Sequence, residues 1–297
     1  MPSTFVDAEI TSQPEVWRSA AALAPTVAQD LPRAGERVAV VGCGTSWFIA
    51  MSWAVLREQA GQGVTDAFAG SEYPVGREYD RVVAISRSGT TTEVVDLLAA
   101  VTGPTTLITA VPGSPATAVA DAVVAMPFAD ERSVVQTRFA TSALTLLRAS
   151  TAHAAGEAFD VEALVADGTA ALAVDVTDLV PAAQCTFLGR GWCVGLANEA
   201  ALKTREAGQF WAEAYPAMDY RHGPIAIAEP GRLVWSFGTA PEGLEGEVAA
   251  TGARFVQHDL DPVAGLVVAQ RFAVAVARAR GLDPDNPRSL TRSVILT

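Results

Sequence analysis

The sequence contains one unit written twice. Near the start, Arg37-Val38-Ala39-Val40-Val41 is a short apolar run, Gly42-Cys43-Gly44-Thr45-Ser46 follows it, and Trp47 to Glu58 reads as a helix. Near the middle, Cys185-Thr186-Phe187-Leu188 leads into Gly189-Arg190-Gly191-Trp192-Cys193 and a helix-like run to Glu206. At an offset of 147 residues Gly42 falls on Gly189, Gly44 on Gly191 and Ala54 on Ala201. Two further echoes follow: Glu72-Tyr73-Pro74 against Ala214-Tyr215-Pro216, and Arg81–Ile85 against Arg232–Ser236. Solenoid repeats have periods of about 20–50 residues, so a repeat this long predicts a duplicated domain.

Within the first copy, β-type apolar runs at 37–42, 81–85, 104–109 and 122–126 alternate with helical stretches near 47–59, 90–101 and 134–153. Continuous apolar strands separated by helices predict an α/β fold whose parallel sheet is buried on both faces. The acid- and Gly-containing stretch from Ala155 to Val161 reads as the linker between copies. The predicted domains are 20–156 and 164–297. Pro14 is expected in the first turn of the first helix, where its missing N–H costs little.

Half of the 297 residues are hydrophobic, enough to offset the ordering of the chain. The formal charge of −12 argues against nucleic acid or an anionic membrane surface as partner. Neither a signal peptide nor a transmembrane helix is expected. The three cysteines have no metal spacing, and the three histidines are scattered. The expectation is a cytoplasmic protein without metal, cofactor or disulfide framework.

The strongest site signal is Ile85-Ser86-Arg87-Ser88-Gly89-Thr90-Thr91-Thr92-Glu93. A strand ends at Ile85, hydroxyls crowd a Gly-containing turn, and a helix starts near Thr92. The first turn of a helix presents unpaired N–H groups with partial positive charge, and phosphate is their natural guest. An ordinary N-cap needs only one Ser or Thr. The Gly42–Ser46 turn lacks the third glycine of a dinucleotide fingerprint, since Trp47 stands there, and no Walker A motif occurs. What remains is a tight capped turn, or a small ligand held by Thr45 and Ser46. In the second copy Glu199, Lys203 and Glu206 share one helix face. That face is either a solvated salt-bridged surface or, since Ala200, Ala201 and Leu202 intervene, a buried proton-transfer group. Asp219, Arg221 and His222 follow; a lone histidine before Gly223-Pro224 is by itself an ordinary loop residue.

Taken together these residues resemble a known family, the tandem SIS (sugar isomerase) phosphosugar isomerases and deaminases, including the isomerase half of glucosamine-6-phosphate synthase. The resemblance is carried by Cys43-Gly44-Thr45-Ser46, by Ser86-Arg87-Ser88-Gly89-Thr90-Thr91 and by Glu131 to Phe139. It continues through Ala201–Glu206, Ala212-Glu213-Ala214-Tyr215 and Arg221-His222-Gly223-Pro224, and ends in Asp285–Val294. It implies two tandem SIS domains, each an αβα sandwich around a mainly parallel five-stranded sheet, the second with a C-terminal tail completing the site. It implies that Ser86, Ser88 and Thr91 hold a phosphate and that Ser46 touches the ligand. Val134 and Gln136 match positions lining the sugar, Glu206 the base that moves a proton between C1 and C2, and Lys203 its neighbouring lysine. His222 matches a ring-opening histidine that comes from the other subunit of a homodimer.

The chain departs from the synthase pattern at Arg87, at Gln136 and at Arg292, which stands where an imine-forming lysine would. A guanidinium stays protonated and forms no imine, but it can bind an oxyanion. With no N-terminal cysteine, a glutamine amidotransferase is not expected. The expected function is isomerisation or deamination of a sugar 6-phosphate such as glucosamine or fructose 6-phosphate, within amino sugar metabolism. The alternatives are a non-catalytic sugar-phosphate sensor and, more remotely, an NAD-type dehydrogenase.

Overall fold

The computed structural model describes residues 4–296. In chain order the elements are α1 (Phe5–Leu23), β1 (Val38–Gly42), α2 (Thr45–Gln59), β2 (Thr65–Ala69), β3 (Arg81–Ile85), α3 (Thr92–Ala100), β4 (Thr105–Thr109), β5 (Ala122–Ala125) and α4 (Arg138–Ala154). Then come α5 (Val161–Ala173), β6 (Gln184–Gly189), α6 (Cys193–Gly208), β7 (Ala212–Pro216), β8 (Arg232–Phe237), α7 (Leu244–Ala250), β9 (Arg254–Gln257) and α8 (Pro262–Ala279). By compactness the chain divides into two units. One unit comprises Ser12–Glu131, Arg138–Glu162 and residues 291–296; the other comprises residues 4–11, Arg132–Thr137 and Ala163–Leu290.

The first unit holds a five-stranded sheet in the order β2-β1-β3-β4-β5, and every pair in it is parallel. β1 and β4 are fully buried, and their apolar side chains face the helix layers. β2 (Thr65-Asp66-Ala67-Phe68-Ala69) escapes an apolar-run reading because it is a partly exposed edge strand with an acidic residue inside it. Arg57 on α2 is fully buried and donates to the carbonyls of Arg33, Glu36 and Gly63 and to the Thr65 hydroxyl. It thereby ties the entrances of β1 and β2 together.

The second unit holds a four-stranded parallel sheet, β7-β6-β8-β9. The expected fifth strand is absent among the described residues. After β9 the chain enters α8, and the segment beyond it carries Pro284 and Pro287, which donate no ladder hydrogen bond. α8 is long and apolar enough to cross a membrane by length and composition, but 72% of it is buried inside the protein, as suits a core helix.

The two sheets repeat the same local physics. A Cβ on Gly42 would lie 2.6 Å from the backbone of Ser46, and one on Gly189 would lie 2.2 Å from that of Cys193. Both strand-to-helix corners therefore accept only glycine. The tyrosine echo does not survive: the ladders match Gly42 with Ala69 and Gly189 with Pro216, so Tyr215 lies within β7 while Tyr73 lies beyond β2.

Two helix starts differ from expectation. Pro14 lies inside α1 rather than in its first turn. An interior proline costs about 3 kcal/mol. Burial of Val6, Ile10, Trp17 and Ala20 along the helix offsets this, at about 1.5–3 kcal/mol for each large side chain. The Asp285 carboxylate accepts hydrogen bonds from the N–H groups of Phe5 and Val6, fixing the helix start upstream of Pro14. The helix expected from 134 begins at Arg138, because Glu131 accepts from the Arg138 N–H and residues 132–137 remain an irregular strap.

Candidate functional site

The order β2-β1-β3-β4-β5 changes direction between β1 and β3, and such switch points are where open α/β sheets bind ligands. β1 and β3 are in register, Val41 beside Ala84, so the turns that follow them emerge side by side at the C-terminal edge. These are the Gly42–Ser46 turn and the Ser86–Thr91 turn. A contact spans them: the Cys43 thiol is 3.6 Å from Glu93 Oε2, in the first turn of α3.

Thr45 and Ser46 begin α2 and are buried. Ser86 and Ser88 are also buried, and their hydroxyls are used inside the turn. Ser86 Oγ accepts from the Gly89 N–H at 3.2 Å, and Ser88 Oγ accepts from the Thr90 N–H at 3.2 Å. The Thr90 hydroxyl lies 2.9 Å from Ser88 Oγ and 2.8 Å from Ser293 Oγ. Thr91 is the N-cap residue of α3, yet its hydroxyl makes no capping bond. The Thr92 N–H donates to the Val294 carbonyl at 3.1 Å, so residues 293–296 run along the start of α3.

Arg87 is 2% exposed; its guanidinium donates to the Arg292 carbonyl and lies 3.8 Å from the buried Glu131 carboxylate. Arg292 in turn donates to the Glu131 carbonyl and to the Asp130 carboxylate. Both guanidiniums therefore hold the tail in place. Glu131 lies inside one of the resembling segments but was not singled out from sequence. Ser114 gave no sequence signal: it is buried, its hydroxyl has no hydrogen-bond partner, and a Cβ on Gly89 would fall 1.9 Å from it. With a φ of +61° as well, position 89 requires glycine.

Burial, and then the charge of Glu93, push the Cys43 thiol up to about 11. At pH 8 it is almost wholly protonated, so its alkylation by iodoacetamide should run about 100-fold slower than that of a free cysteine. Glu93→Gln should quicken it; peptide mass spectrometry reads both rates.

In the second unit, α6 carries the acid–lysine cluster. Lys203 is buried, with its Nζ 2.5 Å from Glu206 Oε2 and 3.6 Å from Glu199 Oε1. The side chain of Glu199 is 0% exposed and that of Glu206 19%, so the face is a partly sheltered pair and not a solvated one. Residues 132–137 pass beside this helix. Val135 shares a core cluster with Ala207 of α6 and with Ala273 and Ala277 of α8. The Glu9 carboxylate accepts from the Arg132 N–H, and the Asp285 carbonyl accepts from the Val134 N–H. Val134 and Gln136 are thus carried on a tethered strap. His222 lies exposed in a single 3₁₀ turn, Asp219–His222, and Gly223 follows at a φ of 144°. Beside it Arg221 pairs with Glu247 at 2.7 Å. Among the described residues, no group of three or more His, Cys, Asp or Glu side chains is placed to hold a metal ion.

Residues 31–174 match the family model described as the SIS domain. The glutamine–fructose-6-phosphate aminotransferase (isomerizing) of Pyrobaculum aerophilum is 30% identical over 98% of this chain and 57% of its own length. The chain spans about half the length of the curated relatives it matches. The crystal structure of glucosamine-6-phosphate deaminase from Thermotoga maritima aligns with a TM-score of 0.84 at 24% identity, covering 99% of this chain and all of that one. That of tagatose-6-phosphate ketose/aldose isomerase from Escherichia coli aligns with a TM-score of 0.78 at 19% identity, covering 99% and 96%. At these identities the structures establish likeness of fold. Residues 31–174 are thus similar to the SIS domain, and nearly the whole chain is similar in sequence to an isomerizing aminotransferase and in fold to a phosphosugar deaminase and isomerase.

Proposed function

We propose that the chain is an enzyme that binds a sugar 6-phosphate and moves a proton between C1 and C2, as an aldose–ketose isomerase or an amino-sugar-phosphate deaminase. The observation that carries this reading is the Glu206–Lys203 pair: a half-sheltered carboxylate held at 2.5 Å by a buried lysine. Such a carboxylate has the surroundings of a general base. In the proposed reaction Glu206 takes the proton next to the carbonyl, giving an enediol or enolamine, and returns it to the adjacent carbon. Lys203 steadies the developing oxyanion. The phosphate is held at the start of α3 by Ser86, Ser88 and Thr91, with Ser46 and Thr45 from the neighbouring turn. Its oxygens replace the contact between Thr90 and Ser293. Val134 and Gln136 line the sugar. His222 opens the ring, donated across a homodimer interface, and its exposure is consistent with that role. Residues 164–297 are read as a second SIS domain.

A second reading, a sensor that binds without chemistry, draws on one observation: the Ser86 and Ser88 hydroxyls already have partners inside the turn. A thermal-shift screen of phosphorylated sugars and amino sugars, followed by assays for ammonia release and for sugar interconversion, separates the readings. Stabilisation with turnover supports the enzyme. Stabilisation without turnover supports the sensor. A screen with no stabilising sugar phosphate removes both.

A further inference from the structure

The turn after β4 braces the Ser86–Thr91 turn from behind. The Arg87 carbonyl accepts from the Ala110 N–H at 3.1 Å and from the Thr109 hydroxyl at 3.1 Å. The Gly89 carbonyl accepts from the Ala116 N–H at 2.9 Å. In a planar trans peptide the C=O of one residue and the N–H of the next point in opposite directions. With both carbonyls drawn toward residues 109–116, the Ser88 and Thr90 N–H groups face away from that segment. The Thr90 N–H meets Ser88 Oγ there at 3.2 Å, so this hydroxyl lies on the same face. The Ser88 N–H has no hydrogen-bond partner among the described residues.

Ser114 belongs to the brace but its side chain makes no bond in it. It is 5% exposed, its hydroxyl is unpaired, and it caps nothing in the 3₁₀ turn Pro115–Ala118 that follows. A buried hydroxyl without a partner costs stability, so the fold alone would be better served by alanine. What the hydroxyl does is occupy the space that a side chain at residue 89 would fill. Glycine permits the φ of +61° there, but it also leaves the peptide free to reach other conformations. Ser114 removes that freedom on the side it fills.

We propose that Ser114 is a positioning residue for the phosphate: by packing on Gly89 it keeps the turn's carbonyls on the β4 side and the Ser88 amide and hydroxyl on the face that takes the anion. The inference rests on the sugar-phosphate reading above and adds to it which face of the turn binds and what holds that face in place. A turn that must be reordered on binding loses affinity even when no contact to the ligand is removed.

The test uses the full chain, with glucosamine 6-phosphate and fructose 6-phosphate as probes, titrated calorimetrically against wild type and Ser114→Ala. The ligand-free variant should melt no lower than wild type, because it loses only an unpaired hydroxyl, while its affinity for both probes falls by about 10-fold. The two falls should be equal, since the turn meets the phosphate that the probes share. Thr109→Val, nearly isosteric, takes one donor from the Arg87 carbonyl and should lower both affinities in the same way; this second variant decides the matter if the alanine protein is poorly folded. Unchanged affinities, with or without a lower melting temperature, would make Ser114 a packing residue and overturn the inference while leaving the sugar-phosphate reading standing. A loss confined to one sugar would place Ser114 at the sugar and overturn it too. Wild type binding neither probe would bring down both.

Discussion

Glu206→Gln should lower kcat by about 10²–10⁴-fold while changing the affinity for a sugar phosphate by no more than a few-fold. The substitution keeps the shape of the side chain and an acceptor within reach of Lys203, but it removes the group able to take a proton. Glu206 stands at 19% exposure, where a substrate can reach it, while Lys203 beneath it is almost wholly enclosed. Single-turnover kinetics with the best ligand from the thermal-shift screen measure the first quantity, and calorimetric titration of the same variant measures the second. Parallel loss of both would mean that Glu206 binds the sugar and does no chemistry. Unchanged kcat would dismiss it altogether and favour a different base. His222→Asn in the same assays discriminates further, since a ring-opening group matters for cyclic substrates and little for open-chain analogues.

Glu131→Gln should destabilise the protein by about 3–5 kcal/mol, the cost of removing one partner from a buried ion pair. The melting temperature should drop by roughly 10 °C. Glutamine retains an acceptor for the Arg138 N–H, so the start of α4 stays capped and the loss is specific to charge. What it removes is the carboxylate 3.8 Å from Arg87, where both side chains are at most 1% exposed. Adding Arg87→Met to the same protein should recover most of the loss, because replacing both members of a buried pair by uncharged groups is often nearly neutral. Calorimetric unfolding of the two variants decides this. Glu131→Gln close to wild type, or a double variant worse than the single, would show that Arg87 and Glu131 do not depend on each other. The double variant also bears on the site. If Arg87 acts by holding the tail through the Arg292 carbonyl, sugar-phosphate affinity in the double variant should change less than in Ser88→Ala.

Much of the architecture could be read from the residues. The paired Gly-x-Gly corners at 42–44 and 189–191 carry the duplication, and the structure explains them by the near-contact of each first glycine with the next helix. Strands β1, β3, β4 and β5 were legible as β-type runs of apolar and β-branched residues because both of their faces are covered or half covered. β2 was not, because an edge strand tolerates an aspartate. The clustering of Glu199, Lys203 and Glu206 was legible because helical periodicity alone puts such residues on one face. Its burial was only hinted at by the intervening alanines.

Local pattern, then, determined what neighbouring residues do to one another: which runs become strands, which corner needs glycine, which helix face holds both acid and lysine. Those interactions act across a few residues, and their geometry follows from backbone periods. Tertiary structure alone decided which distant groups meet. It set the turns after β1 and β3 side by side, gave the guanidinium of Arg87 to Glu131 and to a carbonyl 205 residues away, and left the amide oxygen of Gln136 unmatched on a tethered strap. The physical reason is that pairing between remote residues depends on how whole layers pack, and on the cost of burying a polar group without a partner, neither of which any local stretch of sequence encodes.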